Sequence, residues 1–142
     1  MKTFLDSSAL VKRYIREDGT DDLPGVLAAA TALGVSAICL PEVISAFSRL
    51  SREGLLTRAQ YNERKSALLS DLSAATVINL SPAVLNRSTG LLEAHTLRTL
   101  DALHVATALE WGAERFVSAD KRQAAAARAG GLKVQLIPAA RA

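Results

Sequence analysis

Cysteine occurs once in this 142-residue chain, at Cys39. No intramolecular disulfide can form, so the fold is not a stapled one, and the cytoplasm is the expected compartment. The apolar setting of that residue, "SAICLP", suggests a buried thiol. Aromatic residues are scarce at 4%, against 49% hydrophobic residues dominated by Ala and Leu, the composition of helices packed on a small sheet. Long apolar runs are also missing: "GVLAAATALGVSAICL" is broken by Gly, Ser and Thr and has neither a basic leader nor a small-residue cleavage site. Neither a membrane span nor a signal peptide is expected. A glycine-rich phosphate loop is absent, which leaves nucleoside triphosphate chemistry without support. There are two histidines and no Cys/His cluster.

What the chain does carry is charge. Its 17 Lys+Arg face 14 Asp+Glu, a formal +3, with Arg well ahead of Lys. Arg is the better bidentate partner for phosphate. If four acids are sequestered around metal ions, 17 bases remain against ten acids, a mildly basic exterior compatible with nucleic acid. The length fits one domain over residues 1–142 with a hydrophobic core of its own.

Helical and strand-like segments alternate without repeats or a low-complexity linker. "KTFLD" reads as a first strand and "SSALVKRYIRE" as a helix ending before the turn signal "DGTDD". A second helix is expected over 22–33 and a second strand at "GVSAICL". Pro41 reads as the first residue of a helix over 41–53, stopped by Gly54. Thr57 caps a long helix to about residue 73, "TVINL" is a third strand, and Ser81 with Pro82 opens the next helix. A helix from residue 99 to Trp111 ends at Gly112. "RFVSA", a helix in "DKRQAAAARAG" and a last strand "KVQLI" complete the chain. Short apolar strands separated by helices predict an α/β fold with a parallel sheet covered on both faces. Ligands in such sheets bind beyond the carboxyl ends of the strands, where strand order reverses.

Four carboxylates draw attention there. Asp6 ends the first strand and Asp120 the fourth; if those strands are neighbours, the two acids face one another. On the 41–53 helix, Val43, Ala46, Phe47 and Leu50 form one face with Glu42 at its edge. On the later helix, Ala102, Val105, Ala106 and Leu109 do the same with Asp101 at the edge, so both acids are expected half-buried at the rim of a core. A purely local reading exists for each. Asp6 and Asp120 are N-cap candidates, "DKRQ" has capping-box spacing with Gln123, and the helix dipole favours Glu42 and Asp101 in their first turns. Together the four are harder to explain locally, because clustered carboxylates destabilise a fold unless cations neutralise them. Oxygen-only ligands point to a hard ion, magnesium or manganese.

Other site types fit less well. Ser7 and Ser8 with His104 and Asp101 lack a nucleophile-elbow motif. Nothing in the sequence places His95 and His104 together. A phospho-aspartate enzyme would carry a second Asp where Ser8 stands, and a receiver domain an acid at the end of "TVINL".

"FLDSSALVKRY", "LPEVISAFSRL", "LRTLDALHVATAL" and "FVSADKRQAAAARAGGLKV" together resemble the four ordered motifs of PIN-domain ribonucleases, and among them the VapC toxins of toxin–antitoxin modules. The resemblance runs nearly end to end and is weakest over residues 54–95. It implies a four- or five-stranded parallel sheet and magnesium- or manganese-dependent RNA cleavage at Asp6, Glu42, Asp101 and Asp120. Ser8 and Ser118 would be supporting hydroxyls, the latter where relatives often have Thr. In the implied mechanism, metal ions on the carboxylates activate a water, steady the phosphodiester and neutralise the leaving oxygen. A cognate antitoxin and a homodimer are the implied partners. Arg13, Arg16, Lys121 and Arg122, on helices that begin at the site, are the candidate RNA contacts. Ile15, Ile44, Leu55 and Leu56 are the apolar residues expected to be open to a partner helix. Two further readings stay open: a non-catalytic binding module on the same fold, and a PIN nuclease outside any toxin–antitoxin system.

Overall fold

A computed structural model describes residues 1–141. Five strands, β1 (Lys2–Leu5), β2 (Ala32–Ser36), β3 (Thr76–Ile78), β4 (Arg115–Ser118) and β5 (Lys133–Leu136), form one sheet in the order β3-β2-β1-β4-β5. All neighbours pair in parallel. Seven helices connect them: α1 (Ser7–Leu10), α2 (Leu23–Ala28), α3 (Cys39–Arg52), α4 (Arg58–Ala74), α5 (Pro82–Ala94), α6 (Thr99–Trp111) and α7 (Lys121–Ala129). Strand order reverses at β1, which places β1 beside β4 and so meets the condition for Asp6 and Asp120 to lie on neighbouring strand ends.

Period-two alternation in β1 and β4 divides the core. Leu5 and Val117 point to the face covered by α1–α4, where they pack with Val43, Phe47 and Leu68. Phe4 and Phe116 point to the opposite face, stack on each other with centroids 5.7 Å apart, and pack on α6 and α7. Helix α5 lies outside α6 through Val84, Leu103 and Ala106. Covered on both sides, α6 is buried continuously from Asp101 to Ala108.

Four elements have bounds that differ from the sequence reading. The first helix stops at Leu10, tightens into a 3-10 turn over Val11–Arg13 and does not reach Glu17. The cause is Lys12, only 1% exposed, whose ammonium donates to Glu17 Oε1 (2.9 Å) and to the Asp18 carbonyl (2.7 Å). A buried ammonium must be paired, so the chain folds back over it, with Gly19 at φ 89° closing the turn. The second helix is only Leu23–Ala28. The second strand runs Ala32–Ser36 rather than to Leu40, and α3 begins at Cys39, so Pro41 is its third residue. Pro is tolerated there because first-turn N–H groups have no intrahelical acceptor.

Gly34 is no strand breaker. It sits inside β2 opposite Phe4 because the Trp111 ring lies against it; a Cβ would fall 2.6–2.9 Å from three ring atoms. Gly34→Ala is expected to destabilise the protein by about 2 kcal/mol through overpacking, a drop of roughly 5 °C in Tm. Thermal unfolding followed by circular dichroism reads this directly, and an unchanged Tm would mean that the indole can move aside.

Candidate active site

Backbone pairing carries β1 and β4 right up to the first acid: Asp6 N–H donates to the Val117 carbonyl (3.2 Å). The Asp6 carboxyl is fully buried. Ser8 Oγ lies 2.7 and 2.9 Å from its two oxygens, Ser118 Oγ donates to Oδ2 (2.6 Å), and Ala9 N–H donates to Oδ1 (2.9 Å). Both hydroxyls are themselves fixed by the backbone after β4, Ser8 by Ala119 N–H and Ser118 by Asp120 N–H, each at 2.9 Å. Asp6 therefore caps α1 and is also gripped by β4. Burial raises its pKa, and His104, Ser118, Ser8 and Ala9 pull it back only in part.

Glu42 is half-buried, as its helical phase implied. Its Oε1 accepts from Ser7 Oγ (2.7 Å) and is bonded by His104 Nε2. Burial alone would raise the Glu42 pKa; the hydrogen bond and charge of His104 and the Ser7 hydroxyl outweigh it, so the carboxyl lies below the ordinary glutamate value. Cys39 is buried beside Ser7, its thiol pushed up to about 12 by burial.

Asp101 is 5% exposed rather than at a rim, because Gln123 from α7 and the Arg98 guanidinium close over it. Gln123 Nε2 donates to its Oδ1 (2.9 Å), while the backbone N–H and guanidinium Nε of Arg98 donate to Oδ2, each at 3.2 Å. Asp120 accepts the N–H groups of Arg122 (2.8 Å) and Gln123 (3.3 Å), so it does cap α7. The Gln123 side chain, however, turns to Asp101 instead of closing a capping box. Attraction to Asp101 foremost, and to Asp120 and Glu42 beyond it, holds the Arg98 guanidinium above its usual pKa.

Hydrogen bonds link three of the acids, Asp6 to Asp120 through Ser118 and Asp120 to Asp101 through Gln123, while Glu42 is held separately by Ser7 and His104. The four are not gathered into a closed cage: among the described residues no three acidic, His or Cys side chains converge on one point. The donor chemistry still fits a hard cation, being carboxylate and hydroxyl oxygens around a buried acid whose ionisation burial opposes. Arg98 brings positive charge to Asp101, and its side chain is 80% exposed.

Sequence reasoning set aside Ser7 and His104, yet both are here. A serine triad is nevertheless absent: Ser7 and His104 share Glu42 Oε1, His104 Nδ1 has no partner among the described residues, and Asp101 bonds elsewhere. His95 lies apart at the end of α5. Of the candidate RNA contacts, Arg13 is paired with Asp71 (2.8 Å) and Arg16 with Asp21 (2.9 Å), whereas Lys121 and Arg122 are exposed at the start of α7. An open cleft of about 650 Å³ is lined instead by Ser7, Ser8, Glu42, Arg49, Arg52 and Arg98. Ile15, Ile44 and Leu56, expected to be open, are half-buried against the core, and only Leu55 is well exposed, at 67%.

A parallel sheet switching at β1, with acids at the ends of β1 and β4 and on the flanking helices, is the arrangement expected of PIN domains. The PIN-domain family description matches residues 3–129, and the chain belongs to that family. Within it, the chain is 34% identical over 133 residues to Ribonuclease VapC46 of Mycobacterium tuberculosis, covering 92% of this chain and 94% of the relative. It is 29% identical to Ribonuclease VapC49 of the same species, with 92% of each covered. Solved structures with the same fold include FitAcB from Neisseria gonorrhoeae (TM-score 0.71, 13% identity, 93% of this chain and 95% of that one). A toxin–antitoxin complex from Klebsiella pneumoniae also superposes (TM-score 0.66, 20% identity, 85% and 88% covered).

Proposed function

We propose that this protein is a magnesium- or manganese-dependent endoribonuclease, the toxin of a toxin–antitoxin pair, acting in the cytoplasm. The observation that carries the reading is Asp6, a fully buried carboxyl at the carboxyl end of β1, whose two oxygens are aimed by hydroxyls from α1 and β4. The cap bond uses only Oδ1; Oδ2, held by the Ser8 and Ser118 hydroxyls, is positioned beyond what capping requires and suits a hard cation. A divalent cation bound there would supply Lewis acidity and a water acidic enough to attack a phosphodiester.

The chain's own residues do the holding. Asp6, Glu42, Asp101 and Asp120 are the proposed ligands. Ser8 and Ser118 fix Asp6, Ser7 and His104 fix Glu42, and Gln123 fixes Asp101. Arg98 is paired with Asp101 in this structure and, with a cation on the acids, would be available to a substrate phosphate. The ribonuclease relatives supply the substrate class, and the toxin–antitoxin assembly supplies the partners: a cognate antitoxin and a second copy of this chain. A non-catalytic module would have no use for hydroxyl-gripped acids. No helix among the described residues is long and apolar enough to cross a membrane.

Expression in a bacterial host tests the toxin reading. Growth should stop when the protein is made alone and resume when the product of the adjacent gene is made with it. Harmless expression of an active nuclease would remove the toxin assignment and leave the nuclease. Arg98→Ala should bind manganese several-fold more tightly in calorimetry, because a competing cation has left Asp101. Weaker binding would mean that Arg98 does not stand in the ion's place.

A further inference from the structure

The formal charge of the chain is concentrated in one stretch. Residues 49–65 hold five bases and two acids, so the remainder carries twelve of each and the whole +3 excess lies here. Glu42, Ser45, Arg49 and Arg52 recur at helical spacing and line one cleft along α3. From Glu42 to Arg52 is about 15 Å along the helix axis. A second cleft, of about 380 Å³, lies between α3 and α4, and Arg52 belongs to both. Its other walls include Arg58, Tyr61 and Lys65, again at helical spacing, on the first two turns of α4. Arg49, Arg52, Arg58 and Lys65 make no ion pair among the described residues, unlike Arg13, Arg16, Arg87 and Arg98. The stretch's two acids are Glu53, which ends α3, and Glu63, beside Arg64.

We propose that these two joined clefts are the path of the RNA strand as it leaves the acidic site, its phosphates read by Arg49, Arg52, Arg58 and Lys65. The inference rests on the nuclease reading, since the path is placed by where the scissile phosphate must sit. Free guanidinium groups in a concave polar channel match a phosphate backbone in charge and geometry. Their sequence-independent attraction positions the strand without selecting bases. Lys121 and Arg122, at the start of α7, would then meet the strand only on the other side of the crevice.

The test is binding of a short fluorescein-labelled single-stranded RNA in the presence of chelator, by anisotropy at several salt concentrations, together with cleavage kinetics in magnesium. Arg52→Gln with Arg58→Gln should flatten the plot of log affinity against log salt by about 1.4, roughly 0.7 per lost phosphate contact. It should also raise KM several-fold more than it lowers kcat. Arg128→Gln with Lys133→Gln, exposed elsewhere on the surface, serves as the control and should change neither. A double variant that binds and cuts as the parent does would overturn the path. So would one that handles RNA normally but no longer retains the antitoxin, because the clefts would then be a seat for an acidic protein segment. A parent protein that cuts no RNA would refute the nuclease reading itself, a separate outcome from either.

Discussion

Replacing Asp6 by Asn is expected to abolish RNA cleavage while leaving the protein as stable as before, or more so. Asn keeps the shape and can still accept the Ala9 N–H, while the Ser8 and Ser118 hydroxyls rotate to accept from its amide. What disappears is the charge that would hold a cation, a loss of about 4 kcal/mol or about a thousandfold in rate. Stability should move the other way. The native pKa of Asp6 is raised above 3.8 by burial, so the unfolded chain loses this proton first as pH rises. The stability associated with the group is therefore complete below pH 3.8 and declines as pH climbs through the raised native value. Without that group, the variant's Tm between acid and neutral pH should follow a flatter curve and end at or above the parent's. Urea or thermal unfolding across that range measures it, and a less stable variant at neutral pH would mean that the carboxylate is a structural necessity.

His104→Ala should be the most damaging of the single substitutions around the site. The ring is 1% exposed, packs edge-on to Phe4 with centroids 6.4 Å apart, and bonds Glu42. Truncation opens a cavity beside Phe4 and leaves a half-buried carboxylate with Ser7 as its remaining donor, a cost of about 3 kcal/mol and roughly 10 °C in Tm. The pH profile identifies the cause. Glu42 titrates below its ordinary 4.5 in the folded protein, so its contribution is present above pH 4.5 and is lost as pH falls through the lowered value. His104→Ala should shed much of that acid limb, and His104→Gln, which restores a donor, should recover part of it. An alanine variant as stable as the parent would show that Glu42 does not depend on the histidine.

Much of this architecture was legible in the residues. Thr57 does cap α4, Ser81 and Pro82 open α5, and Gly112 closes α6 in a left-handed conformation. Strand patterning placed Asp6 and Asp120 at the carboxyl ends of the first and fourth strands, and the fold makes those strands neighbours. What sequence could not convey were contacts made across the fold. The early end of α1 depends on where the Lys12 ammonium finds its partners, and Gly34 is explained only by Trp111, far along the chain. Helical phase put Asp101 at an edge because nothing local announces that Gln123 of α7 will close over it. Ser7 and His104 were undervalued for the same reason: they come together only across the fold, beside Glu42 on a third helix. One signal was available and went unused. The spacing of Glu42, Ser45, Arg49 and Arg52 marks a single helical face, and it would have pointed to the cleft arginines ahead of Arg13 and Arg16.

The most direct measurement is cleavage of a fluorophore–quencher RNA by the purified protein, with magnesium, with excess chelator, and with Asp6→Asn in magnesium. A carboxylate site that works through a bound hard cation predicts signal in the first case only, restored to the chelated sample by adding manganese. Equal cleavage in all three would place the chemistry away from the acids at the ends of β1 and β4.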